Sequence, residues 1–204
     1  MAGKTIDVRE VWPGAPDENA TSRQLYKYLD CAVAYLQRHW VYDNPSAAAQ
    51  LGETCHPLQI QLHAMKHAHG EIVNGGFCQF LFNSSGELAE EAVRGFQSFG
   101  LATVHRLLDE VFSCFERPIS KERLKRINML FERFDPEKRS FRHVDEVFAL
   151  PVSSRNIFEM SGRFFDPFDD RFYEAIDTRN HDRGFCVPVC RFVTDHRDIF
   201  FRSL

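Results

Sequence analysis

The sequence has no run of apolar residues near the roughly 18 that span a bilayer. Its first residues, Met1-Ala2-Gly3-Lys4-Thr5-Ile6-Asp7, lack the apolar core of a secretion signal. It contains no G-x-S-x-G, no H-E-x-x-H, and neither the G-x-G-x-x-G nor the Walker spacing. The common signatures of nucleophilic hydrolases, zinc proteases and nucleotide sites are therefore missing, and no enzymatic activity is expected. Charge of either sign is not in large excess: 25 Lys and Arg against 29 Asp and Glu give a net −4, which disfavours general nucleic-acid binding. The excess is uneven. Residues 1–120 carry 9 basic and 14 acidic side chains, residues 121–204 carry 16 and 15.

What the chain has in plenty is phenylalanine, 20 of 204 residues. Aromatic rings bury much area for little side-chain ordering entropy, so they suit one densely packed core. Six cysteines (Cys31, Cys55, Cys78, Cys114, Cys186 and Cys190) are scattered through apolar patterns. That spread reads as buried thiols in a reducing cytosol, and a cytoplasmic location is expected.

Apolar periodicity predicts an all-α fold, a single compact multi-helix domain over 21–204 behind an irregular leader, 1–20. Pro13, Gly14 and Pro16 break up the leader, with Val8, Val11 and Trp12 expected to dock on the body. Thr21 or Ser22 caps a helix carrying Leu25, Leu29, Ala32, Val33, Leu36 and Trp40, ending near Asn44-Pro45. A second opens at Pro57 and runs toward Ile72. Asn74-Gly75-Gly76 interrupts it. Residues 77–82 are short enough for a buried strand, but their helical neighbours favour a helix. Glu87 to Phe99 forms an amphipathic helix stopped by Gly100. Leu101 to Phe115 gives the next stripe, Pro118 breaks it, and Ser120 with Arg123 to Phe134 begins another. Short helices are expected at 141–150, 154–160 and 169–176, and a closing helix from Val187.

Two groups of residues resemble metal ligands. His63 and His67 lie four apart on a helix, with Glu71 four further on. However, His63 and Glu71 start roughly 12 Å apart along a straight helix and cannot converge on one ion. A solvated or locally hydrogen-bonded histidine face is the plainer reading, with His56 and His69 elsewhere. Cys186 and Cys190, near His181 and His196, have a spacing zinc permits. No second close pair completes the set, and core thiols explain them equally well. No cofactor is expected from either group. A metal-binding protein or metal-dependent enzyme is the alternative reading, and a small-ligand pocket behind the glycine turn a third.

The most specific feature is Glu71-Ile72-Val73-Asn74-Gly75-Gly76-Phe77-Cys78-Gln79-Phe80, followed by Asn83. Glycine permits positive φ and close backbone approach. Glu71 is placed to bond the exposed amides of the turn, with Gln79 and Asn83 fixing the fold through backbone contacts. These residues (Glu71, Asn74, Gly75, Gly76, Phe77, Gln79 and Asn83) read as structural. With Glu91, Ala92 and Gly100, then Asp166-Pro167-Phe168-Asp169-Asp170-Arg171-Phe172-Tyr173 and the final Asp195-His196-Arg197-Asp198-Ile199-Phe200, the motif resembles the DNA mimic protein family. The likeness covers roughly residues 55–204. It implies an all-α bacterial domain, a homodimer, no enzymatic activity, and a protein partner that binds DNA. In the name-giving member, surface carboxylates imitate duplex phosphates. At a net charge of −4, mimicry needs a segregated acidic face, and the candidates are Glu87, Glu90 and Glu91 or Asp166, Asp169, Asp170, Glu174 and Asp177.

Overall fold

Thr21 sets the start of the first long helix. Its side chain accepts from the Gln24 amide while Gln24 Oε1 accepts from the Thr21 amide at 2.8 Å, a reciprocal cap that satisfies donors helical bonding leaves free. The resulting α1, Ser22–His39, presents Leu25, Tyr28, Leu29, Ala32, Val33 and Leu36 as one buried stripe and ends at Trp40, short of Asn44. The computed structural model describes residues 7–17, 19–41, 45–113 and 157–202. Cys114, Phe115, Pro118, the helix expected from Ser120 to Phe134, the one at 141–150 and the start of the one at 154–160 lie outside the described residues.

Helix α2, Pro45–Thr54, was not expected; Pro45 at its first position is the start signal. Next comes α3, Pro57–Phe82, capped by His56, whose Nδ1 accepts from the Leu58 amide at 3.2 Å. A 3₁₀ turn, Ser84–Leu88, leads into α4, Ala89–Ser98, and then α5, Ala102–Ser113. Between them Gly100 takes φ +76, and the Leu101 amide reaches back to the Phe96 carbonyl at 2.9 Å. This is the left-handed stop the sequence announces.

The two short helices expected at 154–160 and 169–176 form one, α6, Ile157–Ala175, which passes through Pro167. The closing helix starts earlier than expected, as α7, Arg183–Asp195, with Pro188 inside it, and a short α8, Arg197–Phe200, follows. Its chain end pairs with the leader in a parallel two-residue sheet, β1 (Glu10–Val11) on β2 (Phe201–Arg202). The leader docks through Val8, which packs with Leu36, Leu51 and Cys55, and through Trp12. Val11, at 40% exposure, does not dock.

Helix α3 is the hub, packing against α1, α4, α6 and the 3₁₀ turn. Around it Phe77, Phe80, Phe96, Phe112, Phe165, Phe172, Phe185 and Phe200 are fully buried. Phe172 meets Phe77 and Phe96 edge-on, at centroid distances of 5.8 and 6.5 Å, the arrangement ring quadrupoles favour. Each buried ring stabilises the fold by about 1.5–3 kcal/mol relative to exposure. The all-α, single-domain expectation holds.

Candidate functional site

Helix α3 breaks at its glycine pair. Gly76 takes φ +73 with ψ −178, a region open essentially to glycine alone. Residues 77–82 resume as helix, settling the open choice there against a strand. A break creates a new helix start whose first amides lack intrahelical acceptors. One of them, the Phe77 amide, donates to Asp169 Oδ1 of α6 at 2.8 Å. A Cβ on Gly76 would stand 2.2 Å from Asp169 Oδ2. The glycine is therefore required twice, for its backbone angle and for the space the carboxylate fills. The notch over Gly76 is filled by this side chain.

Glu71 works differently from expectation. Its Oε2 accepts from the side-chain amides of Gln79 at 2.6 Å and Asn83 at 2.7 Å. It thus bridges the two halves of α3 through side chains, and Asp169 takes the backbone amide that had been assigned to Glu71. Asn74 is exposed. One turn before the break, the Tyr173 hydroxyl of α6 donates to the Ile72 carbonyl at 3.0 Å.

Burial pushes the Asp169 carboxyl up to about 6; the Phe77 amide pulls it down, and the charges of Asp166 and Asp170 push it up further. The Tyr173 phenol is raised by burial first and then by the same three carboxylates. Asp166, Asp170 and Glu174 are exposed and fall at steps of four, a single stripe along α6. Asp177, also exposed, follows the helix end in a left-handed conformation with φ 58. The basic residue among them, Arg171, is bound to Glu110 of α5 through two contacts of 3.0 and 2.7 Å.

The other acidic candidates sit on a different helix and are engaged locally. Glu87 accepts from Trp40 Nε1 at 3.1 Å, Glu91 pairs with Arg94, and Glu90 is half-buried. The single choice between two acidic sets thus separates by environment: the α6 set is largely open to solvent, the set at α4 largely committed.

The histidines are not a solvated face. His63 is 1% exposed, with neither ring nitrogen bonded, and packs between Trp40 and His67 at centroid distances of 5.3 and 4.5 Å. Burial, then the charges of His67 and Lys66, lower it to about 3, and burial lowers His67 as well. Among the described residues no three His, Cys, Asp or Glu side chains form a group able to hold a metal ion. Cys186 and Cys190 lie in the core, where burial raises them to about 11 and 12. His196 is bonded to the Phe192 carbonyl at 2.9 Å and stacked on its ring, and His181 is exposed.

One polar group escaped the sequence reading. His69, 3% exposed, stacks on Phe185 at 4.2 Å and meets the Tyr26 hydroxyl at 3.2 Å. Tyr26 donates to Asp182 Oδ2 at 2.9 Å, joining α1, α3 and the start of α7. Burial lowers His69 to about 3, so its 3.6 Å approach to Asp182 is not an ion pair at neutral pH. The available signal was spacing: His69 follows Met65 by four residues and precedes Ile72 by three, on the apolar stripe of α3.

No curated protein and no solved structure matches the chain. The family model described as DMP19-like protein matches residues 53–185. That span holds the glycine break, Glu71 with Gln79 and Asn83, and the α6 segment bearing Asp169; the 195–200 pattern lies beyond it. Matched over more than half its length, the chain belongs to the DMP19-like, DNA mimic protein family.

Proposed function

We propose that the chain is a non-enzymatic helical interaction module that binds a DNA-binding protein through the carboxylates of α6 in place of DNA phosphates. The observation that carries this reading is the exposed stripe Asp166, Asp170 and Glu174. Steps of four residues span about 12 Å over the three carboxylates. One strand of duplex DNA places three to four phosphates, roughly, over that axial length. The match is to one strand's edge, which a net charge of −4 allows where a whole duplex face would not. Assembly as a homodimer belongs to the same reading, since a second copy doubles the acidic stripe. So does action in the cytoplasm, which suits the buried thiols of Cys186 and Cys190. Among the described residues no helix is long and apolar enough to cross a membrane.

The test is a pull-down at low salt with wild type and the triple variant Asp166→Asn, Asp170→Asn, Glu174→Gln as baits. A basic DNA-binding protein retained by wild type, released by salt or by duplex DNA and absent from the variant, supports the reading. Retention that neither salt nor DNA disturbs would remove it.

A further inference from the structure

Asp169 differs from its acidic neighbours in what it touches. Asp166, Asp170 and Glu174 face solvent, while Asp169 is half-buried against the broken helix. Its two oxygens do separate jobs: Oδ1 accepts from the Phe77 amide at 2.8 Å, and Oδ2 fills the space over Gly76. Four residues on, Tyr173 anchors α6 to the same turn through the Ile72 carbonyl. The acid-bearing helix is therefore seated on the glycine break by two polar contacts from one of its faces. Its exposed stripe lies on a neighbouring face of the same helix.

Resting on the reading above, we propose that Asp169 is the positioning residue of the α6 face and its proton sensor. Its seat in the glycine notch holds the exposed stripe in register, and uptake of one proton there weakens the hold on a basic partner. The surroundings support a proton at this position. Burial, Asp166 and Asp170 all disfavour the charge, and only the Phe77 amide favours it. From α3, Glu71 is occupied by Gln79 and Asn83, and His67 packs on His63. From α5, Glu110 is paired with Arg171. Asp177 and Arg179 follow in the turn after α6 and are exposed. Among the described residues no cation is bonded to the Asp169 carboxylate, so the Phe77 amide alone opposes these pressures. The neutral acid keeps a carbonyl oxygen for Phe77, so the seat survives protonation while the face loses a charge.

The experiment follows the Phe77 amide resonance against pH in wild type and Asp169→Asn, which keeps the acceptor and removes the titration. A labelled nine-arginine peptide serves as the basic probe, with affinities taken at pH 5 and 7.5. The expected result is a Phe77 shift with its midpoint near 6 that vanishes in the variant. The pH ratio of affinity should be about threefold larger in wild type than in Asp169→Asn. That difference separates Asp169 from the exposed histidines common to both. A Phe77 resonance flat across pH 5–7.5 in wild type, or equal pH ratios for the two proteins, overturns the inference. The Asp166→Asn, Asp170→Asn, Glu174→Gln variant distinguishes the two levels. If it binds the peptide as wild type does, the acidic-face reading fails. If it loses binding while wild type and Asp169→Asn show equal pH ratios, the proton-sensor role alone fails.

Discussion

Two regions of α3 gather titratable side chains, and burial acts on both with opposite consequences. At the glycine break it moves Asp169 from the ordinary carboxylate value up to about 6, into a range where small changes of pH alter its charge. In the interior it moves His63 and His69 down to about 3 and Cys186 and Cys190 up to about 11 and 12, out of that range. The lesson is that desolvation always favours the neutral form, and whether this activates or silences a group depends on where its starting value lies. The residues that looked most like chemistry in the sequence are the silenced ones.

The largest expected effect comes from the interior. An imidazole lowered in the fold from 6.5 to about 3 contributes stability that is present above 6.5 and lost as pH falls toward 3. At pH 4.5 the loss is about 2–3 kcal/mol per histidine. Urea titrations of His63→Leu should show a flatter acid limb than wild type. Since neither ring nitrogen is bonded, neutral stability should hold or rise. An acid limb unchanged in this variant would break the contrast between the regions.

Next in size is Gly76→Ala. It places a side chain at φ +73 and drives a Cβ into Asp169, at a cost of about 3 kcal/mol from backbone strain and the lost cap. Asp169→Asn is smaller. A carboxyl raised in the fold contributes stability that is fully present below 3.8 and lost as pH rises through about 6. Discounted for its half-exposed position, that swing is about 1 kcal/mol. It opposes the histidine slope and should be missing from the variant. The smallest effect belongs to a site outside both regions: Arg94→Ala, which removes the exposed pair with Glu91, should cost about 0.3 kcal/mol and leave partner binding unchanged.

How much of this the sequence revealed depends on range. Helices α1, α4 and α5 were legible because their apolar residues recur at three and four, and Thr21 and Gly100 announce their ends. Helix α2 was not, since Ala47, Ala48, Ala49 and Gly52 give little contrast between faces. Pro167 falls between the short helices expected at 154–160 and 169–176, yet α6 runs through it. His56 was passed over as a cap because imidazole is an unusual acceptor at that position. The glycine break was visible as a local necessity, but its partner was not: Phe77 and Asp169 are 92 residues apart, and no local pattern distinguishes Asp169 from Asp166 or Asp170. Separations of 43 and 156 residues likewise hid the contacts of Tyr26 with His69 and Asp182.

The proposed replacement of DNA phosphates by the open carboxylates of α6 predicts competition with duplex DNA for the partner. Its most direct test is displacement of labelled duplex DNA from the captured partner, read by fluorescence anisotropy. Wild type should release the DNA at concentrations near those of the partner, and the Asp166→Asn, Asp170→Asn, Glu174→Gln protein should need at least about tenfold more. Equal displacement by both proteins, or a partner that holds DNA and this chain at once, would contradict it.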